Sequence, residues 1–281
     1  IIEYIKQKKK VLIVVNSVDR AIELYDNLKE VAAEANVDAI CYHSRFINKD
    51  RNDKEQAIFK MDETHNGGVL VATQVVEVSL DIDFDILFTE NAPVDALVQR
   101  AGRVNRKRKK EGTKIIITQH YEVSEKIYEE ANILNKTFNE FSKRNGLRLT
   151  ENDLTVMVDA VYDEMDIERN ESFIKGLKKH KEIQYQFDWI KDLTTDEKVF
   201  TREGLDTVTV IPDCFYKELY EEKNHEIISK YQLSISSKRF HSLAKVEMIV
   251  GKYKYIYVDA PYSIEKGLIF KKYNSNEVAF F

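Results

Sequence analysis

A glutamine and three arginines stand close together in Gln99-Arg100-Ala101-Gly102-Arg103-Val104-Asn105-Arg106. Guanidinium groups are planar, permanently charged forks that match phosphate oxygens. Two of them spaced by three, with a carboxamide alongside, suit the charge that spreads over a transferring phosphoryl group. The segment sits at the end of a predicted helix, and helical spacing puts Gln99, Arg103 and Arg106 on one side of that end. Gly102 lets a backbone or a ligand approach closely. The plain alternative for Arg106, which opens the basic run to Lys110, is a solvated hairpin, and for Asp81 it is a turn cap. The segment upstream, Val69 to Asp83, argues for a site: a strand runs into Thr73-Gln74, and Asp81 follows Thr73 by eight residues.

These residues need elements to hold them. Residues 11–15 (VLIVV) form a short apolar, β-branched run, the pattern of a strand buried on both faces of a parallel sheet. Asn16-Ser17-Val18-Asp19 then opens an amphipathic helix with Ile22, Leu24, Tyr25 and Leu28 on its apolar stripe. The alternation repeats through strands at 38–42, 69–73, 85–89 and 114–118 and helices over 50–64 and about 94–103. Apolar strands separated by helices predict βαβ units and a mostly parallel sheet over residues 1–120. Beyond Gln119 the pattern turns helical over 121–145, from Leu149 through Met165 and over about 167–191. From Lys198 it becomes β-type at 207–211, 245–250 and 253–258. The expected class is α/β: residues 1–120 a parallel sheet with flanking helices, 121–197 a helical connector, and 198–281 a small β-rich C-terminal domain.

Composition bounds the function. The chain has 281 residues and a formal net charge of −5. Residues 1–120 carry 19 Lys and Arg against 19 Asp and Glu, so the deficit lies in the second half, while Arg100 to Lys110 holds seven positive charges and no negative one. No apolar run approaches the roughly 18 residues of a membrane span. Cys41 and Cys214 stand alone, which argues against a disulfide framework or a zinc site and fits a reducing cytoplasm. No GxxxxGK[ST] phosphate loop, GxGxxG, HExxH or Gly-x-Ser-x-Gly elbow occurs, and no histidine is followed by Asp. The chain begins Ile1-Ile2-Glu3, without methionine, and reads as a piece of something longer.

Residues 69–106, VLVATQVVEVSLDIDFDILFTENAPVDALVQRAGRVNR, closely resemble motifs V and VI of superfamily 2 helicases. The wording VVEVSLDIDFD and PVDALVQRAGRVNR resembles, more narrowly, the helicase-nuclease of type I CRISPR interference. Val11–Ala21 (VLIVVNSVDRA) resembles motif IV, and His43-Ser44-Arg45-Phe46 the DNA-contact motif after it. Weaker echoes are Asp153–Tyr162 (DLTVMVDAVY) and Glu265-Lys266-Gly267-Leu268.

The resemblance implies a RecA-like second motor domain that meets ATP across a cleft. Arg103 and Arg106 match arginine fingers, Gln99 a residue facing the γ-phosphate, and Asp81 an acidic residue that contacts ribose or orients a finger. Asn16, Ser17, Ser44, Arg45 and Thr73 match DNA-backbone contacts, and Gly102 belongs to the nucleotide side. His43 beside Arg45 is either DNA-proximal or an ordinary core histidine, without a metal. Gln74, Glu77 and Arg100 lie within the motifs without a separate role. The implied cofactors are ATP and magnesium, held mainly by a phosphate-loop half that these residues do not contain. The implied partners are single-stranded DNA, that half with its nuclease domain, and the Cascade surveillance complex, with no membrane. The implied activity is 3′ to 5′ translocation that unwinds and helps degrade invading DNA, with this piece inactive alone. The alternatives are a non-enzymatic, degenerate RecA-like docking module and another superfamily 2 translocase of restriction type.

Overall fold

A computed structural model of the chain describes residues 1–64, 66–128, 131–163, 207–251 and 253–270. After a short first helix, α1 (Ile2–Lys6), five strands, β1 (Lys10–Val14), β2 (Ala39–Tyr42), β3 (Gly68–Ala72), β4 (Ile86–Glu90) and β5 (Lys114–Thr118), form one parallel sheet in the order β2-β3-β1-β4-β5. The apolar runs are explained by a sheet covered on both faces. Val11, Ile13, Val69 and Val71 pack under α2 (Val18–Glu34) with Ala21, Tyr25 and Leu28, whereas Leu12, Val14, Leu70 and Ala72 pack with Ile58 of α3 (Asn48–Glu63) on the other side. Each fully buried Val, Leu or Ile contributes about 1.5–3 kcal/mol. Ser17 caps α2, its hydroxyl accepting the Arg20 N–H at 3.4 Å, as the Asn16-Ser17 opening predicts.

The helix leading to the arginines ends earlier than the sequence predicts. It runs Val94–Ala101, with Gly102 as its C-cap. The chain then turns to lie along the start of β4: the Phe84 N–H donates to Arg103 O at 2.9 Å and the Asn105 N–H donates to Phe84 O at 3.1 Å. Asn105 takes a left-handed φ of 47° there. This pairing with the sheet competes with a further helical turn and wins. Arg103 and Arg106 therefore sit on a bent, strand-tethered segment, not on a helix face.

Beyond β5 the helical stretch expected over 121–145 comprises Glu122–Tyr128 and Ala131–Lys143, with 129–130 outside the described residues. The next helix is Glu151–Tyr162, started by a capping box in which Thr150 and Asp153 bond each other's backbone. The helix expected over 167–191 lies outside the described residues. Further on, β6 (Thr207–Pro212), β7 (Leu233–Ser236), β8 (Lys245–Val250) and β9 (Tyr253–Val258) form a mixed sheet in the order β7-β6-β9-β8. Strand β7 is absent from the sequence reading, because LSIS is too short to show a period. Tyr255 and Tyr257 are buried in this second core, as their alternation suggests, while Tyr253 stacks on His225 with centroids 3.7 Å apart.

The second core closes onto the first domain. Ile47 belongs to it, the Asn48 and Lys49 N–H groups donate to Gln232 O and Lys230 O at 3.0 and 2.8 Å, and the Tyr262 hydroxyl donates to Asp50 at 2.5 Å. The Leu268 N–H donates to Arg45 O at 2.9 Å. Gly267 makes that approach possible: its φ is +67°, and a Cβ there would lie 2.6 Å from Arg45 O. Gly251 has a similar φ of +60° with open space around it. Gly267→Ala is expected to cost about 3 kcal/mol against about 1 kcal/mol for Gly251→Ala, since only the first adds a steric clash to the left-handed strain. Urea unfolding reads the difference, with faster hydrogen exchange at the Leu268 amide. Equal losses would mean that Gly267 does not carry the junction.

Candidate functional site

Arg100 is the centre on which the motif segments converge. It is fully buried, and all five of its N–H donors are used. Nε donates to Glu77 Oε1 at 2.8 Å, and one terminal nitrogen donates to Thr89 Oγ1 and Glu90 O at 2.8 and 2.9 Å. The other donates to Asn16 Oδ1 at 3.0 Å and to the Tyr128 hydroxyl at 3.1 Å. A buried guanidinium is tolerated only when it is paired and fully bonded in this way. Burial pushes the Glu77 carboxyl above its ordinary range, and the adjacent Arg100 pulls it back down. Gln74 Nε2 donates to Asn16 O at 3.1 Å. Arg100 and Glu77, without a role at the level of sequence, thus join the end of β1, the turn after β3 and the helix Val94–Ala101. One signal for this lay in the sequence: Arg100 falls three residues after Leu97 and six after Val94, on the buried stripe.

Arg103 and Arg106 lie beyond this anchor. A terminal nitrogen of Arg103 donates to Glu77 O, while its Nε is buried with no protein partner. Burial first, then the neighbouring Arg106 charge, lowers the pKa of Arg103, and Asp81 offsets part of this. Arg106 Nε pairs with Asp81 Oδ1 at 3.0 Å, and both side chains are open to solvent. The Arg106 N–H donates to Asp83 Oδ1 at 2.9 Å, which fixes the backbone beneath that pair. Gln99 and Gly102 are exposed. The structure therefore brings Asp81, Arg103 and Arg106 together on one edge. A buried, unpartnered guanidinium N–H beside an exposed guanidinium is a donor set that fits the anionic tail of a nucleotide.

The residues expected on DNA divide. Asn16 is buried, and its side chain is spent internally: Nδ2 donates to Asn91 O at 2.8 Å and Ser124 Oγ at 3.1 Å, and Oδ1 accepts from Arg100. It is a hub of the interior in this arrangement, bonded to Asn91, Ser124 and Arg100. Thr73 is also buried, 3% exposed. Ser44 is exposed and Ser17 half-buried. Arg45 is held by Asp19 at 2.5 Å, with its guanidinium 4.5 Å over the Phe270 ring, so it faces the junction with the second core. His43 is the core histidine of the two readings. It is fully buried and stacked on Phe46 at 4.4 Å, and burial holds its pKa at about 3, which leaves it neutral at pH 7.

Comparison with known proteins shows what this arrangement is similar to. A family model described as the C-terminal region of CRISPR-associated nuclease/helicase Cas3 matches residues 7–109. A putative CRISPR-associated nuclease/helicase Cas3 of Methanocaldococcus jannaschii is 44% identical over 113 residues, covering 39% of this chain and 15% of that protein. The CRISPR-associated endonuclease/helicase Cas3 of Escherichia coli K12 is 29% identical over 253 residues, covering 77% of this chain and 28% of that protein. The chain thus spans under a third of the length of either relative. The crystal structure of T. fusca Cas3 shares the fold with a TM-score of 0.72 at 21% identity, over 95% of this chain and 39% of that one. Residues 7–109 thus match the Cas3 C-terminal family model, and the chain as a whole is similar to the C-terminal part of CRISPR-associated nuclease/helicases Cas3 and shares the fold of T. fusca Cas3.

Proposed function

We propose that this chain is the second motor half of an ATP-dependent, 3′ to 5′ single-stranded DNA translocase of CRISPR interference, with Arg103 and Arg106 as its arginine fingers. The observation that carries the reading is the edge where Asp81 holds Arg106 beside Arg103, whose Nε is buried and unpartnered. ATP, when bound, supplies the phosphoanhydride whose hydrolysis drives the cycle. The chain's own residues do the rest. Arg103 and Arg106 neutralise charge developing on the transferred phosphoryl group, Asp81 keeps Arg106 aimed, and Gln99, exposed at the end of the helix Val94–Ala101, is assigned to the γ-phosphate. The phosphate loop and the magnesium site are assigned to the other motor half, since these 281 residues hold no GxxxxGK[ST] stretch. DNA is placed along Ser17, Ser44 and Arg45, where backbone contacts give affinity without reading sequence. Arg45 exchanges Asp19 for a phosphate on binding. Cascade delivers the DNA, and the nuclease domain beyond the other motor half cuts it.

The test is reconstitution. Purified alone, the chain is expected to hydrolyse no ATP and to bind single-stranded DNA weakly, with affinity falling steeply as salt rises. Joined to the phosphate-loop half, it should give DNA-stimulated ATPase. Robust ATPase from the isolated chain would remove the division of labour. Silence of the joined halves would favour a docking module.

A further inference from the structure

The Tyr128 hydroxyl touches three motif segments at once. It donates to Asn16 Oδ1 at 3.2 Å and accepts from Gln74 Nε2 at 3.3 Å and an Arg100 terminal nitrogen at 3.1 Å. Asn16 stands beside Ser17, Gln74 beside Thr73, and Arg100 beside Gln99. Arg100 also grips Glu77, whose backbone carbonyl receives Arg103. Tyr128 itself belongs to none of these segments. It closes the short helix Glu122–Tyr128, which follows the edge strand of the sheet and opens the helical connector. The same helix sends Ser124 to the same place, where its hydroxyl donates to Glu90 and accepts from Asn16 Nδ2 at 3.1 Å. Glu90 in turn accepts the Asn16 and Tyr121 N–H groups at 3.0 and 3.1 Å. One helix of the connector is therefore bonded into the node that the motor segments share. Burial raises the pKa of the phenol, so the hydroxyl keeps its proton and can donate and accept together through the neutral range.

We infer that Tyr128 is a positioning residue through which the helical connector sets Asn16, Gln74 and Arg100 relative to one another, so that DNA engagement is registered at Arg103 and Arg106. The inference rests on the function proposed above. A rigid hydroxyl with three partners permits only one arrangement of those partners. Displacing the connector breaks or remakes all three bonds together, which is a discrete change and not a gradual one.

The experiment uses this chain joined to the phosphate-loop half and compares ATP turnover with and without single-stranded DNA. Tyr128→Phe keeps the ring and removes the hydroxyl. It is expected to cut DNA-stimulated turnover about tenfold more than DNA-free turnover, with the KM for ATP within about twofold of wild type. Gln74→Met should do the same, and the double variant should lose no more than the larger single loss, because both remove one linkage. A merely structural role predicts proportional loss of both rates together with a lowered melting temperature, and that result overturns the inference. Unchanged stimulation in either variant also overturns it. If Tyr128→Phe does not fold, Gln74→Met alone decides between the same outcomes. A wild type without DNA stimulation overturns the functional reading itself and the inference with it, whereas a stimulated wild type with unaffected variants overturns the inference only.

Discussion

Replacing Arg106 by alanine in the joined motor is expected to lower the ATPase kcat by about 10³-fold or more, within the 10³–10⁵ typical of an arginine finger. The KM for ATP should move far less, because a group that meets charge developed only in the transition state contributes to kcat and not to ground-state binding. The geometry makes Arg106 the more sensitive of the two arginines. Its guanidinium is open to solvent and aimed by Asp81 at 3.0 Å, so the chemistry draws on it with little structural cost when it is removed. Arg106→Lys keeps the charge and loses the fork, and should recover only a small part of the rate. Asp81→Asn leaves the finger present but less well aimed, so its loss should be about tenfold, again in kcat; one misplaced group costs less than one that is absent. Steady-state kinetics with saturating single-stranded DNA measure all three. An Arg106→Ala rate within tenfold of wild type would remove the finger assignment.

The sheet was legible because its strands are buried on both faces, and a continuous apolar, β-branched run has few other uses. VLIVV, VLVAT and KIIIT appear as strands within a residue of their expected bounds. The end of the motif helix was not legible. Gly102 and Asn105 weaken the helix locally, and the pairing of Arg103 and Asn105 with Phe84, some twenty residues away, fixes its end at Ala101. Spacing arguments for Gln99, Arg103 and Arg106 assumed a local geometry that a long-range contact replaces. The same limit hid the node. An arginine on an apolar stripe shows that something must bury it, but not that Glu77, Asn16 and Tyr128 will surround it. Asn16 shows the same limit: its sequence position places it after β1, but not its side chain on Arg100.

Charge behaves alike in this respect. The excess of acid over base lies beyond residue 120, and the basic run Arg100–Lys110 is not uniform in use. Arg100 is wholly internal, and Lys110 is drawn onto Asp85 at 3.0 Å and Asp83 at 3.6 Å. Arg108 bonds Glu151 at 2.8 Å with both side chains in solvent, a pair of little energetic weight. Five of these seven cations therefore divide among a structural anchor (Arg100), a site edge (Arg103 and Arg106) and carboxylate pairs (Arg108 and Lys110), and their partners decide which is which.

Arg100→Met should be the most destabilising single change in the first domain. It removes a buried cation while leaving Glu77 Oε1 and Thr89 Oγ1 without their donor and Asn16 Oδ1 with Tyr128 alone, and breaking one side of a buried ion pair costs about 3–5 kcal/mol. For a chain of this size that corresponds to a fall of roughly 10 °C or more in melting temperature. The pH dependence separates this cause from a simple loss of packing. Burial already raises the Glu77 carboxyl, and without Arg100 nothing opposes it, so its folded pKa rises further above the unfolded value. The folded state then holds the proton over a pH range where the unfolded state has released it. Stability consequently falls as pH increases through that window, because the unfolded state binds fewer protons there. The deficit of Arg100→Met relative to wild type should thus be smaller near pH 5 than near pH 8. Adding Glu77→Gln, which removes the stranded charge, should restore part of the loss at pH 8 and little at pH 5. Urea unfolding of the single and double variants at the two pH values measures this. A deficit independent of pH, with no rescue by Glu77→Gln, would show that Arg100 stabilises by filling space and not by holding Glu77.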